Sequence, residues 1–158
     1  GWAKPVQVNP YNFRDPARGM MISTACGPLA NFTQALVVGL VLRVILSLPD
    51  PLFAGHMLLG FLGMLVMINL VLGLFNLIPL GPLDGHHIME YFLPYPAKEN
   101  YTRFNRQYGA FILFGLILLP FVLNVSILAY VIFLPAQVLG THIVGENPWA
   151  LAHEFLLR

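Results

Sequence analysis

Three long stretches with one charged residue among them constrain this chain more than any other feature of its sequence. No charged residue lies between Leu52 and Leu83 or between Gly109 and Gly145. Arg43 is the only charged residue between Gly19 and Leu48. A transmembrane helix needs about 20 predominantly apolar residues, and each stretch is long enough to supply one. We therefore predict an all-α integral membrane protein with three to four transmembrane helices, in a single membrane-embedded domain over residues 1–158.

Proline, glycine and asparagine mark the predicted ends of these helices. The last uncharged stretch has 37 residues. That is too long for one untilted crossing, and we favour two short helices joined near Asn124. In the first stretch, Gly27-Pro28 is predicted to interrupt regular helix. Val6 and Val8 alternate with polar residues between prolines, which predicts a short extended segment near the N-terminus.

An unusual polar segment, from Asn76 to His87, follows directly on an apolar run. Its prolines and glycines break the helix, and non-helical backbone at membrane depth is tolerated only where it lines a polar cavity or is buried in protein. Asp84 at this place is costly to desolvate without a partner. Asp84 is therefore either the acidic ligand of a bound group or a turn residue just outside the membrane, because Asp-Gly is a common turn pair. The residues alone leave both interpretations open.

Three stretches carry a resemblance to a known family. They are Trp2 to Pro10, Gly27 to Asn31, and the pair Asn-x-x-Pro and Pro-x-Asp-Gly at Asn76, Pro79, Pro82, Asp84 and Gly85. Each is weak alone, but together and in this order they resemble the site-2 protease family of intramembrane zinc metalloproteases. The resemblance covers the chain up to about Pro94. After that residue only the hydrophobic character continues.

The resemblance implies a function and a role for two residues. Asp84 becomes the third protein ligand of one catalytic Zn²⁺ ion, which in such sites keeps an open position for water. Asn76 faces the site, where its amide could donate a hydrogen bond to the substrate carbonyl or its developing oxyanion. The substrate class is a transmembrane protein, cleaved within the membrane lipid.

One signature of the family is missing. The His-Glu-x-x-His helix, which supplies two zinc ligands and the general base, is absent, and the pair His153-Glu154 has no second histidine at the required position. We therefore expect an N-terminally truncated member, with its other ligands upstream of Gly1. Two alternatives remain open: a catalytically inactive relative that acts as a membrane scaffold, and a transporter or channel component lined by Asn69, Asn76 and Asp84.

His86 and His87 stand beside Asp84 and form a metal-like group in the sequence. Adjacent side chains of a regular helix point in different directions, so both histidines cannot point where Asp84 points. The other histidines, His56, His142 and His153, are scattered between segments. We therefore expect residues 1–158 alone neither to bind zinc stoichiometrically nor to hydrolyse peptide bonds.

Charge distribution predicts the orientation of the chain. Six of the eight basic residues flank one side of the predicted helices: Lys4, Arg14, Arg18, Lys98, Arg103 and Arg106. The positive-inside rule makes that side cytoplasmic, and we expect a multi-pass protein of the plasma or inner membrane. The formal net charge of +1 gives no reason to expect nucleic acid as a partner. The single cysteine excludes an internal disulfide.

Overall fold

A computed structural model describes residues 14–49, 55–123 and 126–156. These residues form helices and connecting turns without any strand, which confirms the predicted all-α class. The predicted extended segment at Val6 and Val8 and the stretch from Trp2 to Pro10 lie outside the described residues.

The first helix, α1, runs over Pro16–Leu46. The side chain of Asp15 caps it by accepting hydrogen bonds of 3.1 Å from the backbone N–H groups of Ala17 and Arg18. Pro28 lies inside the helix and is buried. The predicted interruption at Gly27-Pro28 is therefore wrong. A transmembrane helix tolerates proline because local adjustments satisfy the freed backbone carbonyl group.

The second helix, α2, runs over His56–Asn76 and packs along α1. Small residues permit this close packing, as is common between helices in lipid. A Cβ atom at Gly73 would lie 2.9 Å from the ring of Phe32 in α1. The core shared by α1, α2 and the C-terminal helices consists of Ala35, Leu42, Leu59, Val66, Met67, Leu70, Ala136 and Val144.

Five further helices and two π-helical turns follow in the part of the chain that the structure describes. They are α3 (Asp84–Phe92), α4 (Ala97–Phe104), a π-helical turn (Asn105–Gly109), α5 (Ala110–Leu123), a second π-helical turn (Ala129–Phe133), α6 (Leu134–Val144) and α7 (Pro148–Leu156). α7 packs on α2, where a Cβ atom at Gly63 would lie 2.7 Å from the carbonyl oxygen of Pro148. This contact joins the C-terminus of the described chain to the core.

Among the described residues, three helices are long and apolar enough to cross a membrane: Pro16–Leu46, His56–Asn76 and the continuous segment Ala97–Leu123. A shorter apolar helix, Ala129–Val144, follows. Phe111 and Phe121 in α5 are 77% and 84% exposed, as expected of side chains that face lipid rather than water. The protein is therefore a membrane protein, and its three candidate membrane-spanning helices agree with the predicted three to four. The third one starts at Ala97, earlier than the uncharged stretch indicates.

Candidate functional site

The loop of residues 77–83 connects α2 to α3 and carries the segment singled out in the sequence. α2 ends at Asn76, and the N–H of Leu77 bonds to the carbonyl groups of Gly73 and Leu74 at 3.2 Å. A further turn forms where the N–H of Leu83 bonds to the carbonyl of Leu80 at 2.9 Å. The loop places Asn76 at the last residue of α2 and Asp84 at the first residue of α3.

Asp84 packs against α1 at a glycine. A Cβ atom at Gly27 would lie 3.0 Å from Oδ2 of Asp84, so the missing side chain leaves room for the carboxylate. Gly27 and Asp84 belong to two of the three stretches that carry the family resemblance, and the fold brings them together across helices that are far apart in sequence. The carboxylate also lies in the first turn of α3, where the helix dipole stabilises negative charge.

The loop is held in place from its other side by α4 and the first π-helical turn. The hydroxyl of Tyr101 donates a 2.8 Å hydrogen bond to the carbonyl of Pro79. The side-chain oxygen of buried Asn105 accepts a 2.8 Å hydrogen bond from the N–H of Gly81. A Cβ atom at Gly109 would lie 2.6 Å from the carbonyl oxygen of Gly81. These contacts fix the backbone that leads into Asp84.

Asn105 is a site residue that sequence reasoning missed. It lies in the polar segment before the last uncharged stretch, among other asparagines and charged residues. Nothing in that local pattern distinguishes a buried loop anchor from a solvated surface residue. The contact between Asn105 and Gly81 identifies Asn105 as a loop anchor, and only the tertiary structure shows that contact.

Three potential metal-ligand side chains meet in α3: His86, His87 and Glu90. Their ligand atoms all lie within 4.8 Å of one another. Asp84 is not a member of this group of described residues, which agrees with the prediction that the two histidines cannot both point with it. Sequence reasoning missed Glu90, although its spacing of four residues from His86 and three from His87 places it on the same helical face.

His87 is half-buried beside Glu90, with Nδ1 3.8 Å from Oε2 of the carboxylate. Burial lowers the pKa of the His87 imidazole below its ordinary value, and the neighbouring His86 lowers it further, whereas Glu90 and Asp84 raise it. The net direction is downward, which favours the neutral imidazole.

A cavity of about 430 Å³ lies between α3, the loop and the first π-helical turn. His86, His87 and Glu90 line it on one side, and Asn105 and Arg106 line it on the other. It is open rather than enclosed, and it adjoins the loop that carries Asp84. The cavity gives polar side chains near the loop a space that a small ligand or water can enter.

The carboxylate of Asp84 fits one ligand position of a zinc site. A carboxylate oxygen is an ordinary zinc ligand, and a catalytic site uses three protein ligands. Among the described residues, Asp84 forms no ion pair with a basic side chain. In the described part of the chain, Asp84 belongs to no group of three or more His, Cys, Asp or Glu ligand atoms. Asn76, the other predicted site residue, is half-buried at the opposite end of the loop.

Comparison with known proteins supports one family. The family model described as peptidase family M50 matches residues 45–120, which include Asn76 and Asp84. The chain is 32% identical over 123 residues to the Bacillus subtilis (strain 168) protein named "Putative zinc metalloprotease YwhC". That alignment covers 76% of this chain and 55% of the relative, so the chain spans about half the length of the curated protein it matches. No solved structure matches the chain.

Proposed function

We propose that this chain is part of a zinc-dependent intramembrane endopeptidase that cleaves a transmembrane protein. The basis of the proposal is that the chain belongs to peptidase family M50, the site-2 protease family. The observation that carries the proposal is the position of Asp84. Its carboxylate stands at the first residue of a helix, directly after a broken apolar helix, and packs against Gly27 of α1. This arrangement joins two of the family-like stretches around one potential zinc ligand.

Two residues of the chain have proposed roles in the reaction. Asp84 would hold the zinc ion through a carboxylate oxygen. Asn76 would donate a hydrogen bond from its amide to the carbonyl oxygen of the scissile peptide, where negative charge develops. When bound, zinc supplies Lewis acidity that polarises this carbonyl and makes water nucleophilic near neutral pH. The two remaining zinc ligands and the general base would come from outside these 158 residues.

The membrane setting follows from the apolar helices. We place the protein as a multi-pass protein of the plasma or inner membrane, surrounded by lipid, with the loop that carries Asp84 nearer the cytoplasmic surface. Lys98, Arg103 and Arg106 lie on the segment that contacts this loop, and the positive-inside rule favours the cytoplasm for such a segment.

Zinc dependence of cleavage tests the proposal. The whole protein that contains this chain is reconstituted in liposomes with a substrate that has one transmembrane helix. We expect cleavage that stops when a chelator removes zinc and returns when Zn²⁺ is added. Cleavage that a chelator does not affect would contradict the zinc mechanism. No cleavage at any zinc concentration would favour a non-catalytic membrane scaffold.

Asn76→Ala separates the chemical step from metal binding. If the amide stabilises the developing oxyanion, the variant should lose roughly 10²–10³-fold in turnover and keep its zinc content. Turnover and metal content are measured on the same preparation. Asn100→Ala is the matched control, because Asn100 is an exposed amide of α4. Equal loss of zinc and turnover in Asn76→Ala would instead make the residue structural.

A further inference from the structure

The first two turns of α3 bring together two imidazole rings and a carboxylate. The ring centroids of His86 and His87 lie 3.8 Å apart, and Nδ1 of His87 lies 3.8 Å from Oε2 of Glu90. A tetrahedral zinc site with bonds of about 2.1 Å separates its ligand atoms by about 3.4 Å. Nδ1 of His87 and Oε2 of Glu90 are close to this separation, and the three ligand atoms all lie within 4.8 Å of one another, so side-chain rotations would bring the three ligands onto one ion.

A hydrogen bond from one ring nitrogen of His86 leaves the other ring nitrogen free to bind a metal. Its Nδ1 atom lies 3.2 Å from the carbonyl oxygen of Leu83. A carbonyl only accepts hydrogen bonds, so Nδ1 carries the proton in this contact and Nε2 keeps the free lone pair. Metal-binding histidines commonly donate their other ring N–H to a backbone carbonyl in this way, which fixes the tautomer and the ring orientation.

Glu90 has a supporting partner on the next helix. Its Oε1 atom lies 3.8 Å from Nζ of Lys98, whereas Oε2 is the oxygen that faces His87. One oxygen can therefore bind a cation while the other stays with the ammonium group. Carboxylate ligands are usually oriented by such a second interaction. Arg106 also lines the cavity, but its side chain is exposed, so water and salt screen its repulsion of a cation.

We propose that His86, His87 and Glu90 form a second divalent metal site, separate from the one that Asp84 serves. Two imidazole nitrogens and one carboxylate oxygen select a borderline cation such as Zn²⁺, and the adjoining cavity leaves its fourth position open to water. The proposal goes beyond the proposed function, because none of these three side chains has a role in peptide hydrolysis there. It also departs from the expectation that this chain alone does not hold zinc, because Glu90 supplies the ligand that Asp84 does not.

Metal titration of the purified chain in detergent tests the second site. Zn²⁺ content is measured directly, and Co²⁺ serves as a spectroscopic probe, because its visible absorption reports the coordination of the ion. We expect one Zn²⁺ per chain in the unaltered protein and in Asp84→Asn. Glu90→Gln and His87→Ala should each weaken binding by more than about 100-fold, since even outer partners of a metal site contribute 10- to 100-fold.

His142→Ala is the matched control for these variants. His142 is exposed, and its Nδ1 atom also contacts a backbone carbonyl, that of Val138 at 2.8 Å. It should bind zinc as the unaltered protein does. The proposal is overturned if the chain binds no zinc, or if Glu90→Gln and His87→Ala both bind it with unaltered affinity. Loss of the metal in Asp84→Asn would also overturn it, by assigning the ion to the site of the proposed protease.

Discussion

Asp84→Ala is expected to abolish cleavage by the whole protein while leaving it folded. Under the proposed function, Asp84 is the one ligand that this chain offers to the catalytic zinc, and a site left with two protein ligands would hold the ion weakly and in altered geometry. Folding should persist, because the Asp84 carboxylate forms no ion pair among the described residues. Cleavage and zinc content of the same sample are the measurements.

The control for Asp84→Ala is Glu99→Ala, which removes an exposed carboxylate of α4. Glu99 forms an exposed ion pair with Arg103, with 3.1 Å between the charged atoms, and such pairs contribute about 0–1 kcal/mol to stability. Its cleavage activity should stay unaltered. Undiminished cleavage by Asp84→Ala, with zinc still bound, would refute the role given to this aspartate.

Gly85→Ala is expected to destabilise the fold more than any other single methyl addition near the loop. Gly85 is buried in α3, and an added Cβ atom would overlap the backbone carbonyl groups of Leu77 and Ile78. Backbone cannot move aside as a flexible side chain can. We expect a loss of about 3 kcal/mol or more in the free energy of unfolding, which lowers the Tm by roughly 6–12 °C. Thermal unfolding in detergent measures it.

Gly115→Ala is the matched control for Gly85→Ala. Gly115 lies in α5, where an added Cβ atom meets nothing within 4 Å. The same methyl group should therefore leave the Tm unaltered or raise it, because alanine favours helix over glycine by about 1 kcal/mol. A Gly85→Ala protein with the Tm of the unaltered chain would show that the loop can move away from α3.

The helices were predictable from sequence because charge and hydrophobicity decide which segments lie in lipid. The three stretches with little or no charge around α1, α2 and α5 correspond to helices that are long and apolar enough to cross a membrane. The start of the third long helix at Ala97 was not predictable from hydrophobicity. Lys98, Glu99 and Arg103 are charged, so the uncharged stretch does not include them, although these residue types favour helix. Composition locates the apolar part of such a helix and leaves its polar extension unmarked.

Only the part of the candidate site that lies in one short segment, from Asn76 to Asp84, was predictable from the sequence. Asp84 and Asn76 stand in a recognisable spacing, and the structure keeps them at the two ends of one loop. The partners of that loop come from elsewhere: Gly27 from α1 and Asn105 from the first π-helical turn. Contacts between segments so distant in sequence leave no periodic trace, and a single sequence therefore cannot display them.

Asn105 joins the loop by a hydrogen bond to a helix that is long and apolar enough to cross the bilayer. The segment Ala97–Leu123 is one continuous helical span, and its polar end holds Gly81 by a buried hydrogen bond. Helices respond to bilayer thickness by tilting. When this span tilts, Asn105 moves with it, and the loop that leads to Asp84 must follow or lose the bond. We therefore expect the thickness of the surrounding lipid to influence the position of the Asp84 carboxylate.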